Sequence, residues 1–189
     1  MDLDSNLVKK AKSGNGRAFG LLVKKYRDPI LRLAFDYVGN YEDAKDIAQN
    51  VFIRASNKLP TFEGRSSFAS WLYRIAINAC LDANRLAGRQ AVCIPETAAG
   101  EDGLDGQPDT SRSNDPEFLV ESAELNRQLH SALETLPDKQ QTIVRLRYFQ
   151  GLSTREIAEV VECDINTVRT HLFRAFSQLR KRLYQLKME

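Results

Sequence analysis

The chain has 189 residues and a mass of 21.4 kDa, with 42% hydrophobic and 28% charged residues. That is one medium domain or two small ones, large enough to bury a core without covalent staples. Three cysteines with no CxxC pair (Cys80, Cys93 and Cys163) argue against a disulfide scaffold and a zinc finger. The opening MDLDSNLVKKAKSG has no long apolar run, and no uncharged stretch approaches the ~20 residues that cross a bilayer. The expectation is a cytoplasmic protein with no direct membrane insertion. The net charge of +2 conceals an uneven distribution. Residues 1–90 carry 15 Lys/Arg and 9 Asp/Glu, residues 91–125 one base (Arg112) and 9 acids, and residues 126–189 11 bases and 7 acids. Two basic blocks around an acidic one suit a polyanionic partner.

After the turn-like SGNG, Phe19, Leu22, Val23 and Tyr26 recur at helical spacing. Pro29 is expected to start a second segment through Leu33 and Val38, ended by Gly39. Asn40 is a candidate N-cap, with Glu42, Asp43 and Asp46 near the positive end of the next helix. That helix carries Ala44, Ile47, Ala48, Val51 and Phe52. The loop LPTFEGRSS follows, with Pro60 and Gly64 as breakers, and Ser66 or Ser67 caps a helix running to about Ala87. Residues 91–114, AVCIPETAAGEDGLDGQPDTSRSN, lose apolar periodicity and read as a flexible acidic linker between domains. Asp115-Pro116 then opens a helix towards Leu136, and Pro137 another that ends near Gly151. Ser153-Thr154-Arg155-Glu156 is a capping box. It starts a short helix through Ile157, Ala158, Val160 and Val161. A turn at Glu162-Cys163-Asp164 precedes a long helix with Val168, Leu172, Ala175, Leu179 and Leu183 on one face. No alternating strand pattern occurs. The fold class is therefore all-α: two small helical domains, near 1–90 and 115–189, joined by the linker 91–114.

The last two helices have the helix-turn-helix pattern of a short capped helix, a turn and a longer basic helix. Asn166, Arg169, Thr170, Phe173, Arg174 and Ser177 fall opposite the apolar face, where they would meet base edges in a major groove. Arg180, Lys181 and Arg182 would touch phosphates or be solvated. In the helix of residues 68–89, Phe68, Leu72, Ile75, Ala76 and Ala79 make an apolar stripe. Arg74, Asn78, Asp82, Arg85 and Arg89 make a polar one. Trp71 and Tyr73 sit near the polar stripe, beside Phe62. Aromatics mixed with Arg and Asn suit single-stranded nucleic acid or an extruded base; equally, Trp71 and Tyr73 could be core.

Three blocks carry a resemblance over nearly the whole chain: AFGLLVKKYRDPI (18–30), YEDAKDIAQNVFIRASNKLPTFEGRSSFASWLYRIAINACLD (41–82) and LPDKQQTIVRLRYFQGLSTREIAEVVECDINTVRTHLFRAFSQLR (136–180). Together they resemble an extracytoplasmic-function (ECF) sigma factor of bacterial RNA polymerase. The resemblance implies that the first domain is sigma region two, the second is region four, and there is no third domain. It implies that Asp43, Asp46, Ile47, Gln49, Val51 and Phe52 dock on the β′ clamp helices of core RNA polymerase, with the β flap as a further contact. The loop Phe62–Phe68, with Arg65, and the helix Ser70–Asn78 would open and read the minus-ten element of promoter DNA. There Trp71, Tyr73 and Asn78 lie near the point of strand separation, and Arg74 and Arg85 by phosphates. Asn166, Arg169, Thr170, His171, Phe173 and Arg174 would read the minus-thirty-five element. The acidic linker would thread from the active-site cleft into the RNA exit channel, and an anti-sigma factor would hold the chain inactive.

Three positions depart from the family pattern. Asn15 stands where Gly-Asp is common, but Asn caps a helix equally well. Phe176 stands where arginine is frequent, which replaces a phosphate contact with an apolar side chain. His171 is a frequent variant that could touch a phosphate or simply lie at the surface. Other function classes fit less well. A LuxR-like regulator would need a sensory domain, for which residues 1–90 offer neither a βα array nor a ligand-binding sheet. An enzyme would need a metal cluster, a phosphate loop or a nucleophile–base pair, and the only histidines are His130 and His171. Neither a cofactor nor a metal site is expected.

Overall fold

The computed structural model describes residues 3–86, 128–129 and 131–186. The linker expected at 91–114, Cys93, Arg89, His130 and most of the helix expected from Asp115-Pro116 lie outside them.

Four helices form the first unit. α1 spans Leu3–Lys12, α2 Gly16–Val38, α3 Tyr41–Lys58 and α4 Phe68–Leu86. α1 is absent from the sequence reading. It is fastened by a buried carboxylate: Asp4 accepts from Lys25 Nζ at 2.7 and 2.8 Å and from Tyr26 Oη at 2.5 Å. α2 starts where Asn15 Oδ1 accepts from the Ala18 N–H at 3.1 Å. It runs through Pro29 without a break, contrary to the two segments expected. An internal proline costs about 3 kcal/mol. Tyr26, Ile30, Leu33 and Ala34 bury on both sides of it. At ~1.5–3 kcal/mol for each large apolar side chain, their packing outweighs the lost hydrogen bond. Gly39, in the left-handed region at φ 75°, ends the helix. Asn40 then caps α3, accepting from the Asp43 N–H at 2.8 Å. A short 3₁₀ turn, Leu59–Thr61, leads into the loop, and Ser67 Oγ caps α4 by accepting from the Ser70 N–H at 3.0 Å. The core of this unit centres on Leu22, Ile30, Leu33, Val51 and Leu72, all essentially inaccessible.

The second unit comprises the helical residues 131–134, α5 (Asp138–Tyr148), α6 (Thr154–Val160) and α7 (Ile165–Leu186). Both arms of the Ser153–Glu156 capping box are formed, at 2.8 and 3.3 Å. Ala132, Leu133, Leu136, Val144, Ala175 and Leu179 make a small cluster of their own. Ile143, Leu146, Ile157, Val160 and Val168 instead belong to one apolar cluster continuous with Tyr37, Tyr73 and Ile77 of the first unit. Among the described residues there is no strand, no helix long and apolar enough to cross a membrane, and no grouping of His, Cys, Asp and Glu that could hold a metal.

Candidate nucleic-acid interface

The loop before α4 carries an aromatic cluster. Phe62 lies 4.9 Å from Trp71 and 6.2 Å from Phe68, and Phe68 lies 5.6 Å from Trp71. Phe68 is buried, while Phe62 and Trp71 are half-buried and keep ring surface for a partner. Lys12 Nζ holds the loop by donating to the Phe62 carbonyl at 2.6 Å. Gly64, at φ 76°, lets the chain turn there. Arg65 stands out in solvent, paired with Glu63 at 2.6 Å. Along α4, Asn78 and Arg85 are exposed and Arg74 is one-third exposed. Tyr73 is not free: it is 7% exposed, and burial raises its phenol above the ordinary value, so it stays protonated.

The helix-turn-helix presents the face expected of it. Val168 and Ala175 are fully buried; Asn166, Arg169, Thr170, Phe173 and Arg174 are exposed, Phe173 to 77%. Arg169 donates to Asn166 Oδ1 at 3.2 Å and Thr170 Oγ1 to the Asn166 carbonyl at 2.9 Å, which orders the polar face. His171 differs. It is half-buried, and its Nδ1 is enclosed without a hydrogen-bond partner. Burial, then the charges of Lys139 and Arg174, hold its imidazole below the ordinary 6.5. Phe176 packs edge-to-face on Tyr148 at 5.1 Å, an apolar pair in place of a cation.

On α3, Asp43, Asp46 and Gln49 are exposed along one face, and Asn40 Nδ2 donates to Asp43 Oδ2 at 2.7 Å. Ile47 and Val51 point inward to the core, and Phe52 is half-buried. Two exposed apolar residues on this helix, Tyr41 and Ile53, escaped the sequence reading.

Nor does the sequence announce the seam between the units. Tyr37 Oη and Thr142 Oγ1 lie 2.9 Å apart; Gln150 Nε2 donates to Asp36 Oδ2 at 3.2 Å. Arg145, 1% exposed, donates to the Asp36 carbonyl and lies 4.9 Å over the Tyr37 ring. On α4, Ser70 Oγ donates to Glu159 Oε2 at 3.0 Å, and Arg74 donates to the Glu159 carbonyl at 2.6 Å and to the Glu162 carboxylate. These partners stand 85 to 114 positions apart, beyond any periodicity argument.

The family model described as sigma-70 region 2 matches residues 22–90, and that of sigma-70 region 4 matches residues 126–179. The RNA polymerase sigma-H factor of Pseudomonas aeruginosa is 37% identical over 186 residues, which cover 98% of this chain and 96% of that protein. The ECF RNA polymerase sigma factor SigW of Bacillus subtilis is 35% identical over 180 residues, covering 95% and 96%. Among solved structures, CnrH in complex with the cytosolic domain of CnrY has the same fold, with a TM-score of 0.70 at 24% identity over 97% of this chain and 99% of that one.

Proposed function

The chain belongs to the ECF sigma factors, and on that basis we propose how its surfaces divide the work of starting transcription. It is a promoter-specificity subunit: it binds core RNA polymerase, directs it to promoters and helps melt the minus-ten element. Residues 1–90 act as region two, 115–189 as region four, and the acidic stretch 91–114 as the linker that occupies the polymerase's RNA path. The reading is that of a cytoplasmic, non-enzymatic factor without cofactor or metal.

Melting needs no hydrolysis. Bases of the open strand stack on Phe62 and Trp71, each stacked base contributing about 1–3 kcal/mol. Arg65, Arg74 and Arg85 meet phosphates, and Tyr73 and Asn78 line the point of strand separation. Asn166, Arg169, Thr170, Phe173 and Arg174 read the minus-thirty-five duplex in the major groove, with the half-buried His171 at its edge. Asp43, Asp46 and Gln49 offer an acidic face to the basic β′ clamp helices, Phe52 adds apolar contact, and the buried Ile47 sets the helix that carries them. The β flap contacts region four. An anti-sigma factor completes the partners; CnrH, which shares the fold, is in complex with the cytosolic domain of CnrY.

The observation that carries this reading is the pairing, on one chain that matches an ECF relative over nearly its whole length, of an accessible aromatic–arginine edge at Phe62–Trp71 and an accessible recognition face on α7. Run-off transcription with sigma-free core polymerase over randomised promoters tests it. Transcripts sharing one two-element sequence are expected. A folded chain that fails to bind core polymerase would overturn the reading.

A further inference from the structure

Arg74, one-third exposed, is engaged across the seam. It donates to the Glu162 carboxylate and to the Glu159 carbonyl oxygen. The Glu159 carboxylate in turn accepts from Ser70 Oγ at 3.0 Å and from the Ser67 N–H at 3.4 Å, at the N-terminus of α4. Two carboxylates of the helix-turn-helix thus stand along one face of α4, one at a helix N-terminus and one on a guanidinium. Those are the donor types that hold backbone phosphates.

Glu162 is held there against its backbone preference. Among the described residues it is the one non-glycine residue with a positive φ, 52°. That region disfavours L-residues and is free to glycine. A tight turn alone would be served by glycine; glutamate adds the carboxylate on Arg74.

Arg74 Nε, Arg145 Nε and Arg145 Nη2 are buried without a hydrogen-bond partner. A cavity of about 350 Å³ beside the Arg74–Glu162 ion pair is lined by Arg74, Asn78, Arg85, Asp138, Lys139 and Glu162. Closure is one-sided, since the α7 recognition face stays exposed while Tyr73 is buried and Arg74 keeps one-third of its surface exposed.

We propose that the free chain occupies a self-inhibited closed state in which Glu159 and Glu162 stand in for the phosphates of the minus-ten strand on α4. Region four then withholds Arg74 and the N-terminus of α4 from the strand, leaving Phe62 and Trp71 accessible, until polymerase, or the strand itself, separates the units. The proposal rests on the assignment of Arg74 to the minus-ten strand made above.

The test uses the full-length chain, free and in holoenzyme. Glu159→Gln keeps side-chain size, and Glu162→Gly relaxes the turn, so helical circular dichroism should match wild type for both. Fluorescence anisotropy reads the binding of a single-stranded minus-ten oligonucleotide to the free chain, and small-angle scattering reads its radius of gyration. A closed population of nine-tenths or more lowers apparent affinity about tenfold. Each variant should therefore bind up to about tenfold tighter, with a larger radius of gyration. Asp164→Asn removes a neighbouring charge just before α7, and should change affinity far less. Unchanged affinity and radius in both variants would overturn the closed state, as would an equal gain in Asp164→Asn. In holoenzyme, Arg74→Ala should lose promoter opening. Full opening by that variant would overturn the assignment of Arg74 itself, independently of the free-chain result.

Discussion

Asp36 provides a quantitative check on the seam. It sits near the end of α2 beneath the second unit, with Arg145 and Gln150 facing it from α5 and the turn beyond, and Arg32 from its own helix. Burial lifts its carboxyl from 3.8 to about 6, against the downward pull of Arg145, Gln150 and Arg32. Because the folded value is the higher one, the contribution to stability is complete below pH 3.8 and is lost as pH rises through about 6. The interval between the two values corresponds to about 3 kcal/mol. The side chain retains partial exposure, and solvent screening reduces this to about 2 kcal/mol. Asp36→Asn removes the charge and keeps an oxygen for Gln150 Nε2. Urea unfolding from pH 4 to 8 should show the variant equal to wild type near pH 4 and about 2 kcal/mol more stable at pH 7.5. A difference that stays constant across that range would refute the reasoning.

Arg174→Ala should weaken transcription from promoters bearing the minus-thirty-five element by about 5- to 150-fold, the equivalent of 1–3 kcal/mol; an equal loss at promoters lacking it would refute base reading. Trp71→Ala and Asn78→Ala should reduce permanganate reactivity of the minus-ten strand in holoenzyme while leaving core binding intact, and undiminished reactivity would count against their role in melting. Ser153→Ala breaks the capping box and should cost about 1 kcal/mol, lowering the melting temperature by roughly 2–4 °C for a chain of this size; no change would mean that Glu156 and α7 packing hold α6 unaided.

Local chemistry was legible in the sequence wherever one residue fixes one turn of backbone. Asn40, Ser153 and the Ser66/Ser67 pair announced three helix starts, and the structure chooses Ser67. The buried and exposed faces of α7 followed from spacing alone. Pro29 misled because a local rule, that proline ends a helix, yielded to the packing of Tyr26, Ile30 and Leu33 around it. α1 was missed because its anchor, Asp4 on Lys25 and Tyr26, is a tertiary contact within a polar-looking segment. For the same reason Tyr73 read equally well as core or as interface. It belongs to an apolar cluster drawn from both units, which helical spacing within α4 does not announce.

The apolar cluster that runs unbroken from Tyr37, Tyr73 and Ile77 into Ile143, Ile157 and Val168 has a thermodynamic corollary. Any separation of the two units wets part of that cluster, and wetting apolar surface raises heat capacity. Docking on polymerase buries other surface and lowers it. If the units part on docking, the two contributions oppose each other. Titration calorimetry at several temperatures would then give a heat-capacity change smaller in magnitude than the buried contact area alone requires. The cluster also loses strength on cooling, so the two units should part more readily in the cold.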